Sequence, residues 1–194
     1  MKWIITVLLV APSFRLTLNI SFQTLVETDK ILIMDQSNKV INELIEKLNL
    51  QPHPEGGFYK ETYRSIENTN GNRSLITSIY FLLTSDNVSH FHRIKSDEHW
   101  FYHSGDSLTI HMLNEQGHVK LKLGPNLDKG EAFHHIVPKN TIFGSSVEKA
   151  NGYSLVSCVV APGFDFADFE LFNSTELLKH FPEEKEIIAK LTFE

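Results

Sequence analysis

The sequence is poor in the features that announce a mechanism. Cys158 is the only cysteine among 194 residues, so no intrachain disulfide can form and the fold must rest on burial. There is no basic run. Lys and Arg total 18 against 24 Asp and Glu, and the formal net charge of -6 argues against a nucleic-acid or anionic-membrane surface. No glycine-rich phosphate loop, serine-centred nucleophile elbow or Cys-x-x-Cys pair is present, so those mechanisms have no support. Internal repeats and low-complexity tracts are also missing. The apolar share of 41% and charged share of 22% are those of an ordinary globular protein, which excludes a disordered or fibrous chain.

The beginning of the chain stands apart in character. Lys2 and the apolar run Trp3 to Ala11 have the charged and hydrophobic parts of a secretory signal, but the run is too short to span a bilayer. Its cleavage region is poor, because Pro12 follows Ala11 and Arg15 comes soon after. Leu16 to Ile33 is apolar with scattered polar residues and no convincing period. The expectation is an extension or signal-like segment over residues 1–33, outside the fold, and one domain over residues 34–194. Translation from Met34 implies a cytoplasmic protein, and a functional signal implies a secreted one.

The remainder reads as helix, many strands, helix. Val40, Ile41, Leu44, Ile45 and Leu48 fall on one helical stripe within Ser37–Leu48, with Asp35 or Ser37 as cap. Short β-rich segments follow from Phe58 to Leu171, including Ser89–Ile94, Glu98–His103, Asn140–Ser145 and Phe166–Leu171. Turn clusters such as Ser104-Gly105-Asp106 separate them. Regular short strands without helical periods between them predict an all-β sandwich or barrel. From Thr175 the pattern returns to helix, capped by Ser174 or Thr175, with Pro182 starting a second piece.

Six of the ten histidines lie between His90 and His118. On a strand, residues two apart share a face, so His90 and His92 are expected to point together, with Phe91 opposite. Glu98, Trp100 and Tyr102 share a face on the next segment, and the turn through Lys95, Ser96 and Asp97 can return Glu98 beside the imidazoles. Two imidazoles and a carboxylate suit a divalent metal. Without metal, the same set suits acid–base work, since a carboxylate raises the pKa of a neighbouring imidazole. A His-x-His pair alone carries little weight. Around it, Glu55 in the His53–Gly57 segment faces a ligand or merely belongs to a tight turn. Tyr63 and Arg64 reach the pocket or pack beneath it, and the planar fork of Arg64 suits a phosphate or carboxylate. Trp100 walls the pocket or fills the core. Cys158 reads as a buried, inert thiol.

His90-Phe91-His92, five residues, Glu98, six residues and Gly105 resemble the first motif of the cupin superfamily. Where the second motif has Pro-x-Gly and a histidine, this sequence has Pro138-Lys139-Asn140 and Phe143, which removes the usual fourth ligand. His53-Pro54-Glu55-Gly56-Gly57-Phe58-Tyr59, Glu61-Thr62-Tyr63-Arg64-Ser65 and Ala161-Pro162-Gly163-Phe164-Asp165-Phe166 resemble one cupin branch, a domain family of unknown function. The resemblance implies a cupin double-stranded β-helix (jelly-roll) barrel with an N-terminal helix and a C-terminal helical segment. It also implies a homodimer and a pocket akin to those of sugar epimerases.

Two classes of function follow. In one, the chain is an enzyme of epimerase or isomerase type, or a metal-assisted one, acting on a sugar- or nucleotide-like metabolite. His90, His92, Glu98 and Tyr102 would be catalytic, and Glu55, Tyr63, Arg64, Trp100 and Phe143 would bind the ligand. A metal, if used, would be iron, manganese, nickel or zinc on His90, His92 and Glu98. In the other, the barrel binds such a metabolite without chemistry, as a sensor or carrier. A small molecule is the expected partner in both, with neither nucleic acid nor membrane.

Overall fold

The computed structural model describes residues 4–11, 14–70 and 72–193. The chain divides into two compact units, Met1–Val40 and Ile41–Glu194. In the first, β1 (Ile4–Ala11) and β2 (Phe14–Ser21) form an antiparallel hairpin, with Ile5 opposite Ile20 and Leu9 opposite Leu16. Helix α1 (Phe22–Lys47) begins in this unit and continues into the second. It starts well before the expected Ser37, so Asp35 and Ser37 are interior residues rather than caps. The reason is local: Phe22 to Lys47 contains neither proline nor glycine, and nothing in the backbone interrupts the helical hydrogen bonds.

The second unit is the barrel. Its strands are β3 (Gln51–Pro52), β4 (Phe58–Arg64), β5 (Thr77–Thr84), β6 (Val88–Arg93), β7 (Asp97–Gly105), β8 (Leu108–Asn114), β9 (Gly117–Leu123), β10 (His134–Val137), β11 (Ile142–Val147), β12 (Tyr153–Ala161) and β13 (Glu170–Leu171). They form one sheet in the order β10-β7-β12-β5-β4-β3 and another in the order β13-β6-β11-β8-β9, with every pairing antiparallel. The expected strand over Phe166–Leu171 is corrected to a single 3-10 turn, Phe166–Asp168, followed by β13. Asp165 starts that turn by accepting the Ala167 N–H, the usual way an aspartate competes with strand pairing.

Period-two alternation sorts the side chains. Phe81, Leu83, Trp100, Leu108, Ile110, Phe143, Val156 and Cys158 face inward and make the core between the sheets. Their alternates face outward and are covered. Leu82 and Leu155 pack with Ile41, Leu44, Ile45 and Leu48 from the end of α1. Phe91 and Leu113 pack with Leu177, Ile188 and Leu191 from α2 (Ser174–His180) and α3 (Lys185–Lys190). The cap of α2 is Asn173, one residue earlier than expected. Its side chain accepts the Glu176 N–H while Glu176 accepts the Asn173 N–H, which satisfies two donors that a helix start leaves free. Pro182 lies between the helices, ahead of α3.

Three bulges interrupt the alternation; one leaves His103 extra on β7, and the other two decide which side chains reach the cavity. On β4, Glu61 pairs with Ile79 but Tyr63 pairs with Ser78, so Thr62 is an extra residue. On β6, His92 pairs with Phe143 but Ser89 pairs with Ser145, so one residue is extra between Ser89 and His92.

The covering of β6 by the C-terminal helices is tested by Ile188→Ala. Ile188 is fully buried, and its truncation is expected to cost about 2–5 kcal/mol of unfolding free energy in urea titrations.

Candidate active site

A cavity of about 290 Å³ opens between the sheets. Its lining includes His53, Glu55, Tyr59, Glu61, Arg64, Ile79, Phe81, His92, Glu98, Cys158, Phe164 and Phe166. The size is at the low end for small-molecule sites, so it suits a metabolite of about one ring.

The loop between β3 and β4 supplies its first polar groups. His53 and Gly57 close the loop, the His53 N–H donating to the Gly57 carbonyl at 3.0 Å. Gly56 has φ 109°, and a Cβ there would stand 2.0 Å from the Val88 carbonyl oxygen, so both the turn and the close approach to β6 need glycine. The turn does more than reverse the chain, because it lays the Glu55 side chain, 7% exposed, into the barrel. Glu55 Oε1 accepts the Ser89 hydroxyl at 2.7 Å, and Oε2 stands 3.3 Å from His92 Nε2 and 3.5 Å from His53 Nδ1. Burial raises the Glu55 pKa, against the opposing pull of His53, the Ser89 hydrogen bond and His90.

His92 is 2% exposed, and its Nδ1 lies 2.8 Å from the His90 carbonyl oxygen. A carbonyl only accepts, so Nδ1 carries the hydrogen and Nε2 is left as a lone pair facing Glu55. Burial drops the His92 pKa to about 4. The Nε2–Oε2 contact is therefore favourable when one proton lies between the two groups. Glu98, 8% exposed, is pushed up to about 8 by burial first and by Glu55 second, with Cys158 and Trp100 pulling it down. No cation pairs with Glu98 among the described residues. The Cys158 thiol beside it is raised well above its usual pKa, mainly by burial, which makes it a poor nucleophile.

The aromatic wall comes from the segment after β12. Phe164 and Phe166 meet edge to face at 4.9 Å. Thr77 Oγ1 accepts the Phe164 N–H at 2.8 Å, and Asp168 is ion-paired with Arg73 and Lys95. The Ala161–Phe166 stretch, quoted above for its family resemblance, thus contributes to the lining.

The family model Cupin_5, cupin superfamily (DUF985), matches residues 42–172. The chain belongs to this family. Protein SO0799 from Shewanella oneidensis is 46% identical, with a TM-score of 0.75 over 78% of this chain and 96% of its own. A hypothetical protein from Leishmania major is 39% identical, with a TM-score of 0.73 over 79% of this chain and 98% of its own. The uncharacterised protein YML079W of Saccharomyces cerevisiae is 31% identical over 180 residues, 81% of this chain and 89% of that protein. The cupin barrel is shared with these relatives; their names carry no activity.

The residues singled out from the cupin motifs divide sharply. Glu55, Arg64, His92 and Glu98 line the cavity, whereas His90, Tyr63, Trp100, Tyr102 and Phe143 are not among its lining residues. The β6 bulge breaks the expected common face of His90 and His92. His90 lies instead against the loop, its N–H and Nδ1 2.8 Å and 2.6 Å from the Glu55 carbonyl oxygen and its ring stacked on Phe193 at 3.6 Å. The β4 bulge turns Tyr63 outward, 55% exposed, and Arg64 inward. Arg64 does not present a free fork: Nε and Nη2 donate to Glu61, and Nη1 donates to the Phe164 carbonyl. Tyr102 packs against the core and donates its hydroxyl to the Gly105 carbonyl at 2.7 Å. Trp100 and Phe143 are core residues, and Phe143 backs the His92 ring at 4.1 Å.

The metal reading of His90, His92 and Glu98 meets the same geometry. With His90 engaged by the loop and apolar Phe143 beside His92, these residues do not fit a metal centre. No cluster of three or more His, Cys, Asp or Glu side chains among the described residues is arranged to hold one. His53 and Tyr59, from the His53–Tyr59 stretch that resembles the cupin branch, also line the cavity; Phe81 and Cys158 join it from outside those motifs, and the inward parity of β5 and β12 was the available signal for them.

The buried acid makes stability depend on pH. Glu98 loses its proton near 4.5 when exposed and near 8 when folded, so the folded chain holds more protons between those values and loses stability as pH rises through them. His92 acts oppositely, its contribution being lost as pH falls from 6.5 towards 4. Glu98→Gln is expected to add about 2 kcal/mol at pH 8.5, roughly 4–8 °C in thermal midpoint, and almost nothing at pH 5. Melting curves of both proteins at the two pH values check this.

Proposed function

We propose that this cupin is an acid–base enzyme of epimerase or isomerase type, moving a proton at a carbon beside a carbonyl group in a small, single-ring-sized metabolite. The observation that carries the reading is the Glu55–His92 contact at 3.3 Å in the same cavity as a second buried carboxyl, Glu98. Paired titratable groups with separated pKa values are what acid and base roles require.

In this reading Glu98, ionised, takes the proton from carbon, its pKa near 8 making it a strong base close to working pH. The C–H electron pair passes to the carbonyl oxygen. The proton held between Glu55 and His92 hydrogen-bonds that oxygen as charge develops on it. Return of the proton by Glu98 to the adjacent carbon gives an isomer; delivery of the Glu55–His92 proton to the opposite face of the carbon gives an epimer, Glu98 then releasing its proton to solvent and the pair regaining one. Of the four residues expected from sequence to be catalytic, His90, His92, Glu98 and Tyr102, this reading uses the two that line the cavity, His92 and Glu98.

The test is hydrogen exchange in deuterated buffer, followed by proton NMR over a panel of sugars, sugar phosphates and keto acids. We expect loss of the signal beside the carbonyl in at least one compound, with a rate that rises with pH and levels off above about 8. Glu98→Gln should slow it by about a hundredfold or more, and His92→Ala should do likewise. A panel compound that binds in the cavity without exchanging would instead identify a sensor or carrier.

A further inference from the structure

Lys60 and Arg64 are the cationic residues of the cavity lining, and among the described residues neither pairs with the two buried carboxyls, Glu55 and Glu98. Glu55 and Glu98 are both more than nine-tenths buried and both line it, and their side chains are met by a hydroxyl, a thiol and imidazoles. Arg64, the nearest guanidinium, is consumed at the rim by both oxygens of Glu61 and by the Phe164 carbonyl. Lys60 pairs in register with Tyr80, whose ring belongs to the outward-facing cluster over the sheet, so the pleat assigns the lysine side chain to that other face. Buried carboxyls ordinarily find a cation or a metal, and Glu98 has neither partner among the described residues.

The rest of the wall is what a soft organic cation prefers. Tyr59, Phe81, Phe164 and Phe166 line the cavity, and the faces of such rings carry partial negative charge. His53 sits among them, 4.5 Å from Tyr59 edge to face and 6.4 Å from Phe166 in a stacked arrangement. An anionic ligand would bring its charge against two carboxyls with no free donor fork to receive it. A neutral ligand would leave Glu98 without a charge partner and hence protonated.

We infer that the natural ligand carries a positively charged nitrogen, a protonated amine or a quaternary ammonium, seated between the Glu55 and Glu98 carboxyls and the aromatic wall of Tyr59, Phe164 and Phe166. The inference names a ligand class for the site whose chemistry is proposed above and rests on that site's being the working one. The ammonium group supplies the countercharge that lets Glu98, held protonated mainly by burial, ionise, and its size limit is the cavity itself. Among sugars this selects amino sugars over neutral or phosphorylated ones.

Matched probes that differ only in charge test it without the natural ligand in hand. Choline is compared with 3,3-dimethyl-1-butanol, D-glucosamine with D-glucose, and benzylamine with benzoate, by NMR titration of the full chain. We expect the ammonium member of at least one pair to perturb Tyr59, Phe164 and Phe166 and to saturate at about tenfold lower concentration than its partner. Glu98→Gln and Glu55→Gln should bring the members of that pair within about twofold of each other. If either variant loses its folded spectrum, the wild-type comparison decides. Equal or tighter binding of the neutral or anionic members overturns the inference, as does the absence of any perturbation by ammonium probes up to about 100 mM. Preference for ammonium in a protein that exchanges no hydrogen leaves this inference standing and removes the proton-transfer reading. Exchange with a neutral substrate, without ammonium preference, does the reverse.

Discussion

A carboxyl group withdrawn from water has to be compensated on every side, and the geometry around Glu55 follows from that requirement. Its two oxygens are met by Ser89, His53 and His92, while its own carbonyl receives both the N–H and the ring nitrogen of His90. One residue therefore ties the β3–β4 loop to β6 through side chain and backbone at once. The chain continues outward, since His90 stacks on Phe193 and the Phe91 N–H donates to the Leu191 carbonyl. The two tight glycines of the loop, the bulge of β6 and the C-terminal covering all serve the placing of this group.

The barrel was legible because its signal is distributed. Alternating apolar residues, turn clusters and helical stripes recur along the whole chain, so local errors did not change the architecture. Where they occurred they had identifiable causes. The start of α1 was misplaced because amphipathic period, not the absence of breakers, was used to find it. The Phe166–Leu171 strand was misread because an aspartate-initiated turn outcompeted an apolar pattern.

The site was half legible for a different reason. Glu55, His92 and Glu98 belong to motifs whose residue types are tied to their chemistry, and all three line the cavity. His90 and Tyr102 were assigned by counting along strands. For His90 that count fails at a bulge, because one extra residue exchanges inside for outside with no change in composition, and a bulge likewise decides that Arg64 and not Tyr63 lines the cavity. Tyr102 keeps its inward parity but spends its hydroxyl on its own turn. Phe143 illustrates the converse. Where the cupin motif has a histidine, this chain places an apolar plate behind His92, outside the cavity lining, that keeps the imidazole dry and its pKa low.

The two bulges also bear on how this lining can change over time. Replacing a residue alters one wall position and leaves its neighbours in place. If Thr62 were retained but paired with Ser78 in an unbroken ladder, Tyr63 would fall opposite Thr77 and face the cavity, and Arg64 would be carried away from Phe164. Closing one bulge thus exchanges a charged rim for a phenolic one in one step. For a scaffold whose strands stay the same, the variable that sets ligand chemistry is the number of residues between fixed hydrogen-bonded pairs, and families built on it can diverge by arithmetic as well as by substitution.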